Sequence, residues 1–498
     1  MIINFFQMKT LPTLFARLRL LLALVVSAPF GPLALEPARA ASTDERIQVL
    51  ENQLLQMQRE LQTLREEAAR EKAAAEKARE AQENQSDVLA EAVDAIKSSL
   101  TIPEEMELEG QYGLAPGASK VYRRDSGLSI GGYGELVFRK PTTDRVRTAG
   151  GVAVDQTRSD AQRLILYTGY KFNDWIVFNS EIEFEHGTTA PTVTQGSGGS
   201  VSVELAYVDL LLAEWANLRT GLVLAPMGIV NEIHEPIGFF GVDRPLVDQT
   251  IIPTTWREMG FGLFGDILPN LSYRAYAYNG LNAAGFSPKG FRGGRQKASK
   301  SLANDWAFIG RIDYEPLDDL VFGTSIYTGN SGQGQVFEGD GEDSIPLPSA
   351  RTTIFEAHGQ WRWRGLEARA MVATSWLGDA GDLTLALRDA GRLSGDQTLA
   401  KQMLGLYAEA GYDILPWIFP DTGQQFLPFV RFEYNNTQYR VPTGPTFAAD
   451  GTYQDRIWTF GINYKPIPQV VFKADYRDWN PVTGVKADTI DVGLGFVF

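Results

Sequence analysis

Apolar and polar residues alternate along most of the chain from about residue 128 onward. Residues 468–478 are typical, since Phe472, Ala474 and Tyr476 are separated by charged residues. Successive side chains of a β-strand point to opposite faces, so this alternation predicts strands with one apolar and one polar face. About sixteen such segments follow one another.

The connectors between these segments are alternately short and long. Asn173-Asp174 and Pro466-Ile467 are short turns, whereas 140–161 and 226–257 are long loops. Short turns on one side and long loops on the other are typical of antiparallel transmembrane barrels. A soluble β-sandwich has the same period of two. The charged second face of many strands favours the barrel, because a wide lumen is filled with water while the outside must be apolar.

The first hundred residues have a different pattern. Lys9, Arg17 and Arg19 precede an apolar stretch, and the small residues near Ala40 resemble a cleavage site, so 1–40 is predicted to be a signal peptide. From Ile47 onward a seven-residue repeat places apolar residues at two positions of each heptad, which indicates a coiled coil. A single charged helix is the alternative.

The predicted organisation therefore has four parts. They are a signal peptide at 1–40, a periplasmic coiled coil at 41–102, a linker at 103–126 and an outer-membrane β-barrel at 127–498. The fold class is an all-β transmembrane barrel of about 16 antiparallel strands, preceded by an N-terminal α-helical coiled coil.

Composition argues against catalysis and against a bound cofactor. The chain has no cysteine and only three histidines. It contains no nucleophile motif, phosphate loop or dinucleotide fingerprint. We therefore expect that the protein is not an enzyme, that it has no cofactor and no metal site, and that it does not bind nucleic acid. The net charge of −15 gives no general preference for anions.

The third long loop, 226–257, mixes aromatic residues with charges of both signs. A sixteen-stranded barrel leaves an aqueous channel, so selection requires something folded inside it. We predict that this loop forms a pore constriction, although its charges could instead pair with one another and only hold the loop in place. The candidate residues are Glu232, His234, Glu235, Asp243, Arg244, Asp248, Arg257 and Glu258.

The polar phase of the strands supplies a second set of candidates, which is expected to line the pore lumen. Opposed charges across a pore create a transverse field that acts on polar solutes; structural salt bridges on a wet wall are the alternative. We expect Arg163 or Lys171 to pair with the neighbouring glutamates. The lumen candidates are Arg163, Lys171, Glu181, Glu183, Glu185, Glu356, His358, Arg362, Arg431, Lys473 and Arg477.

A basic, glycine-rich stretch lies at 289–300 and contains Arg292, Arg295 and Lys297. Such a loop can contact the phosphates of lipopolysaccharide or draw anions toward the mouth of a pore. A solvated loop with no partner is the alternative.

The barrel resembles the phosphate-selective porin O/P superfamily of outer-membrane porins. The resemblance covers roughly 127–498 and rests on the strand Leu218–Leu224, on Pro226-x-Gly228, on Arg244-Pro245-Leu246-Val247 and on Arg257-Glu258-x-Gly260. It implies sixteen strands, trimers and an inward-folded third loop, with Arg244 and Arg257 at charged positions. Phosphate selectivity in that superfamily rests on ladders of arginine and lysine, and this sequence departs from that pattern.

These observations predict an outer-membrane porin for passive diffusion of small hydrophilic solutes, with anionic solutes as one candidate class. The expected partners are outer-membrane lipid and lipopolysaccharide, two further copies in a homotrimer, and the cell wall through the coiled coil. The alternative function is a structural anchor that links the envelope through its coiled coil.

Overall fold

The computed structural model describes residues 43–100, 108–142, 145–148, 151–154, 157–192, 198–338 and 344–498. The chain divides into two compact units, Met1–Thr101 and Ile102–Phe498. The predicted signal peptide and the first residues of the predicted linker lie outside the described residues.

The described residues of the first unit form one continuous helix, α1 (Thr43–Leu100). The absence of Gly and Pro between Ser42 and Ile102 permits this length, because both residues weaken a helix interior. The apolar heptad residues Leu54, Leu61 and Leu64 are more than half exposed in the single chain. Among the described residues, no helix is both long enough and apolar enough to cross a lipid bilayer.

The described residues of the second unit form a closed antiparallel barrel of sixteen strands, as the alternation predicted. Each strand pairs with its neighbours along the chain, and the first pairs with the last. The barrel strands are β1 (Gly127–Pro141), β4 (Arg158–Lys171), β5 (Ile176–Glu185), β6 (Val201–Ala213), β7 (Ala216–Leu224), β8 (Arg257–Leu268), β9 (Leu271–Asn279), β10 (Trp306–Leu317), β11 (Leu320–Gly329), β14 (Thr352–Trp363), β15 (Leu366–Leu377), β16 (Gln402–Tyr412), β17 (Gln425–Arg440), β18 (Gln454–Ile467), β19 (Val470–Pro481) and β20 (Thr489–Val497).

Smaller elements lie outside the barrel strands in the described residues. Two hairpins lie outside the barrel sheet, β2 (Arg145–Thr148) with β3 (Gly151–Val154) and β12 (Val336–Glu338) with β13 (Ser344–Pro346). The short helices are α2 (Pro116–Ser119), α3 (Val247–Thr250) and α4 (Ala380–Asp389).

The two faces of each strand have different surroundings. In β10, Ile309 and Arg311 are buried inside the barrel, whereas Phe308 and Ile312 are about half exposed on the outside. The outside is therefore apolar, the surface that a barrel presents to lipid, and the inside is charged. A soluble sandwich would bury its apolar faces, so the structure excludes that alternative.

The barrel closes at a seam between β1 and β20. Tyr133 is paired with Val497 in the ladder. Beyond it, the amide of Gly132 donates to the carbonyl of Phe498 at 3.0 Å, and the amide of Phe498 donates back to the carbonyl of Gly132 at 2.9 Å. These bonds leave no open edge in the sheet, which removes the usual route to edge-to-edge aggregation.

A charge on the outer face should destabilise the barrel in a membrane. We expect Ile312→Arg to lower the free energy of unfolding by about 2–4 kcal/mol, because an arginine near the middle of the bilayer loses its hydration. Urea unfolding in lipid vesicles, followed by tryptophan fluorescence, measures the change. Ile312→Leu is the matched control and should behave as the wild type. Equal stabilities for Ile312→Arg and Ile312→Leu would contradict a lipid-facing position.

Candidate functional site

Residues 225–256, which connect β7 to β8, fold into the barrel. This interior loop contains a 3₁₀ turn (Pro236–Gly238) and α3, and most of its residues are buried. Its side chains and peptide groups contact inward-facing residues of β1, β5, β6, β9, β10, β15, β17 and β19. The interior loop is thus fixed to the wall around much of the barrel, and two of the predicted constriction residues, Arg257 and Glu258, belong to the wall strand β8.

Asp243 is the most connected anchor of the interior loop. Its carboxylate accepts from Arg139 of β1 at 2.6 Å and from Arg477 of β19 at 2.8 Å. Arg431 of β17 donates to the Asp243 carbonyl at 3.1 Å. Burial acts to raise the pKa of Asp243, but the two arginines outweigh it and lower the pKa. The loop is therefore held by an ionised carboxylate.

Backbone carbonyls of the interior loop also accept hydrogen bonds from cationic side chains of the barrel wall. Lys473 donates to the carbonyls of Phe239 and Gly241, at 2.7 and 2.9 Å, and its ammonium lies 3.8 Å from the centre of the Phe239 ring. Arg369 donates to the Gly238 carbonyl at 2.6 Å. The loop carbonyls solvate both cations, which are not directed at open space.

Glu232 belongs to a second charged cluster, on β9 and β10. Its carboxylate accepts from Arg274 at 2.7 Å and lies 3.6 Å from Arg311. Asp313 pairs with both arginines. Two acids and two bases are balanced here, so this cluster fixes the loop without leaving a net charge.

His358 extends that cluster along β14. Its Nδ1 is 2.8 Å from a Glu356 oxygen, and its Nε2 is 3.5 Å from an Asp313 oxygen. Arg311 donates toward the same Nε2 at 3.1 Å. The two ring nitrogens of His358 therefore serve different partners on opposite sides of the ring.

His234 of the interior loop meets two carboxylates of the wall. Its Nε2 lies 3.3 Å from an oxygen of Glu181 on β5 and 3.3 Å from an oxygen of Glu204 on β6. Arg257 donates to the other oxygen of Glu204 at 2.9 Å. Burial acts to lower the pKa of His234, but Glu181 and Glu204 outweigh it and raise the pKa to about 9.

Glu204 was missed by sequence reasoning. The ladder between β5 and β6 shifts register here, since Glu181 pairs with Leu205 but Ile182 pairs with Val203. Glu204 is the extra residue of this β-bulge, and it is fully buried next to the equally buried Leu205. A bulge places two consecutive side chains on one face, so strict alternation gave the wrong phase for this part of the strand.

The remaining glutamates of β5 have separate partners. Arg163 lies 2.9 Å from Glu135 and 3.9 Å from Glu183 of β5. The expected pairing of Arg163 with a neighbouring glutamate is therefore confirmed. Glu185 accepts from Ser200 at 2.8 Å. Lys171 does not pair with the β5 glutamates among the described residues, and its ammonium lies 3.5 Å from the Tyr122 carbonyl oxygen.

Other candidates have weaker or different surroundings. Arg244 donates to the His234 carbonyl at 3.3 Å. Glu258 accepts a hydrogen bond from the backbone amide of Gln296, which belongs to the basic stretch 289–300, called the basic loop below. Arg362 is exposed at the end of β14, where it pairs with Asp319, so the structure does not bring it to the interior loop.

The second half of the predicted linker also lies inside the barrel. Glu235 accepts from the amide of Gly117 at 2.9 Å, and Asn179 of β5 donates to the Ala118 carbonyl at 2.8 Å. The Tyr122 hydroxyl donates to Asp209 at 2.6 Å, a buried carboxylate that sequence reasoning also missed. Residues 108–126 therefore fill part of the lumen beside the interior loop.

A cavity of about 430 Å³ remains between β5, β6 and the basic loop. Glu183 and Glu185 line it together with Arg257 and with Arg292, Arg295 and Lys297 of the basic loop. Hydroxyl groups complete the lining, from Ser200, Ser202, Thr255 and Ser299.

The cations of the basic loop repel one another. Burial lowers the pKa of Arg295 to about 9, and repulsion from Arg292 and Arg257 adds to the shift. Partial desolvation and the nearby Arg244 lower the pKa of Arg292 to about 10, although this side chain remains exposed to solvent. Within the described ranges, neither arginine forms an ion pair with a carboxylate. Cations held together without counter-charges favour the binding of an anion.

The chain is similar in sequence to an uncharacterized protein of Aquifex aeolicus strain VF5. The two proteins are 37% identical over 370 aligned residues, which are 73% of this chain and 78% of that protein. No family model matches the chain. The fold and interior define a sixteen-stranded β-barrel with a loop folded inside. The chain belongs to the same protein family as the Aquifex aeolicus protein.

Three solved structures are similar to this chain in fold. Salmonella typhi OmpF is 16% identical, with 75% of this chain and 98% of that chain covered and a TM-score of 0.47. The outer membrane channel DcaP of Acinetobacter baumannii is 10% identical, with 76% and 98% covered and a TM-score of 0.46. The anion-selective porin of Comamonas acidovorans is 9% identical, with 75% and 100% covered and a TM-score of 0.45. Likenesses at this level do not transfer function.

Asp248 of α3 gives a pH test of the interior loop. It is fully buried, and it forms no ion pair with a cation among the described residues; the Tyr407 hydroxyl is the neighbouring group that favours its ionised form. Burial raises its pKa to about 7, and the nearby Glu356 and Glu409 add to the shift. The folded state therefore holds a proton that the unfolded state releases near pH 4.

This raised pKa makes stability fall as pH rises from about 4 to 7, because the native carboxyl must ionise while buried. We expect Asp248→Asn to flatten that slope and to be more stable than the wild type at pH 8. Thermal unfolding between pH 4 and 8 measures the difference. Asp319→Asn, at an exposed ion pair, is the control and should keep the wild-type slope. A wild-type slope in Asp248→Asn would contradict the assignment.

Proposed function

We propose that the protein is an outer-membrane porin that allows small hydrophilic solutes to diffuse passively through its barrel. The carrying observation is a closed barrel that is apolar outside and encloses a charged cavity of about 430 Å³ beside an interior loop. The loop narrows the lumen, and the cavity is the space that it leaves for solute.

The proposed permeant is a small anion or a solute with an anionic group. Arg292 and Arg295 have no carboxylate partner in the described part of the chain, and Arg257 and Lys297 line the cavity with them. Glu183 and Glu185 also line it, so an anionic group would bind next to the arginines and away from the glutamates. Hydroxyl groups of Ser202 and Thr255 offer neutral hydrogen bonds in addition to the charges.

A close relation to phosphate-selective porins remains part of the proposal. It is supported by the inward course of the loop that contains Arg244-Pro245-Leu246-Val247. The lumen does not contain a continuous ladder of free cations, because Arg431, Lys473 and Arg477 are all neutralised by the interior loop or by acids. We therefore propose a general preference for anions over a strict selection of phosphate.

Assembly into trimers through the N-terminal helix is a further element of this proposal. The exposed apolar positions of α1 recur with heptad spacing, and they require other helices to cover them in water. Contact between this helix and the cell wall, and contact between the basic loop and lipopolysaccharide, are additional proposals. They rest on the charge pattern alone.

The cavity arginines should set ion selectivity. We expect Arg292→Gln combined with Arg295→Gln to lower the ratio of anion to cation permeability by a factor of about two to ten, because it removes two charges from the cavity. The reversal potential across a salt gradient in planar bilayers measures this ratio. Lys401→Gln, an exposed lysine that does not line the cavity, is the control.

The bilayer experiment has two outcomes that would contradict the proposal. Absence of conductance in the folded wild-type chain would remove the porin function. Unchanged selectivity in the double variant, with normal conductance, would remove the cavity from the permeation path and leave the porin function intact.

Deletion of Thr43–Leu100 tests the role of the helix. We expect the barrel to fold and conduct, since the helix belongs to a separate compact unit, but we expect the trimers to dissociate. Light scattering of the micellar protein and stepwise conductance measure the two effects. Intact trimers combined with a loosened cell envelope would instead favour a role of the helix as an anchor.

A further inference from the structure

Three buried side chains converge where the interior loop meets β5 and β6. One donor atom from each of Glu181, Glu204 and His234 lies within 4.8 Å of the other two. The side chains are at most 2% exposed. The three residues come from two strands and a loop, so the cluster joins the loop to the wall.

The ring of His234 is oriented by its other nitrogen. Nδ1 lies 3.0 Å from the carbonyl oxygen of Asn231. Because a carbonyl only accepts hydrogen bonds, this contact places a hydrogen on Nδ1. Nε2 then faces Glu181 and Glu204, with a lone pair when the ring is neutral. A backbone carbonyl behind the imidazole is the usual way in which a metal-binding histidine is held.

Glu204 is also held from behind. Thr255 and Arg257 donate to one of its oxygens, at 2.7 and 2.9 Å. The second oxygen is directed at His234 and has no hydrogen-bond partner among the described residues. The second oxygen of Glu181 is buried and likewise has no partner there. The cluster therefore offers two buried carboxylate oxygens that accept no hydrogen bond from the described residues.

The distances leave room for a cation at the centre of the cluster. A charge-assisted N–H···O contact is about 2.7–2.9 Å long, whereas both distances from His234 to the carboxylates are 3.3 Å. In a tetrahedral site with bonds of about 2.0–2.2 Å, neighbouring ligands are about 3.3–3.6 Å apart. The contact between His358 and Glu356, at 2.8 Å, shows the shorter spacing of a direct histidine–carboxylate hydrogen bond in this protein.

We propose that Glu181, Glu204 and His234 bind one divalent transition-metal cation, of which Zn²⁺ is the suitable probe. Imidazole nitrogen and carboxylate oxygen are both zinc ligands, and two carboxylates balance the charge of the ion. The bound ion would tie the interior loop to β5 and β6. This proposal is independent of the porin function.

The test uses the full chain, folded in detergent and freed of metal with a chelator. We expect calorimetry to show one Zn²⁺ bound per chain, and binding should raise the melting temperature. Glu181→Gln, Glu204→Gln and His234→Asn should each weaken binding at least about tenfold, since each removes a ligand. His186→Asn is the control, because this half-exposed histidine pairs with Asp160 outside the cluster.

X-ray absorption of the zinc-loaded wild-type chain provides a measurement that does not depend on the variants. The expected spectrum has oxygen or nitrogen neighbours at about 2.0 Å with the scattering of one imidazole. Absence of stoichiometric binding, or a spectrum without imidazole, would overturn the proposal. Equal affinity in folded His234→Asn and in the wild type would also overturn it. A wild type that binds no Zn²⁺ would mean that a proton shared by His234 and the carboxylates occupies the cluster.

Discussion

Charges turned into a closed barrel must find partners, and this requirement organises the interior. Asp243 between Arg139 and Arg477, and Glu232 between Arg274 and Arg311, hold a loop that has little regular secondary structure of its own. Removing one member of such a buried pair leaves the other charge without compensation, which costs more than the pair itself contributes. The interior loop is therefore fixed by electrostatics as much as by packing.

The same requirement separates the closed part of the lumen from the open part. Lys473 and Arg431 are neutralised by loop carbonyls or acids, and they form part of the filled interior. Arg292 and Arg295 have no carboxylate partner in the described part of the chain, and they border the remaining cavity, although Arg295 also donates to the carbonyls of Pro253 and Thr255. The location of unpaired charge thus indicates where a solute can replace a missing partner.

The sequence was sufficient to predict the barrel and its strand number. Alternation predicts strands because the outside of the barrel is apolar and the inside is polar over most of each strand. The assignment of inward and outward positions from alternation failed at Glu204, because a bulge changes the phase without a signal in the residue types. The buried course of residues around Gly117 was also missed, since contacts with Glu235 and Asn179 arise only from the closed fold.

Pairings between residues that are distant in the chain could not be predicted from the sequence, for a related reason. Acid and base types can be assigned to the lumen, but their distances depend on strand stagger and on the path of the loop. His234 was predicted as a constriction residue, and the structure places it against Glu181 and Glu204. Without those distances, no pattern in the chain indicated a cation site.

The seam between β1 and β20 has a consequence for biogenesis. The first barrel strand has its partner in the last, so the cylinder cannot close until β20 has been made. Contacts between such distant parts of a chain form slowly, because the loop entropy must be lost before the ladder is gained. Until then β1 has an unpaired edge and outward apolar side chains. The newly made chain therefore needs protection from aggregation before assembly, and its folding cannot proceed strand by strand from the N-terminus to a stable product.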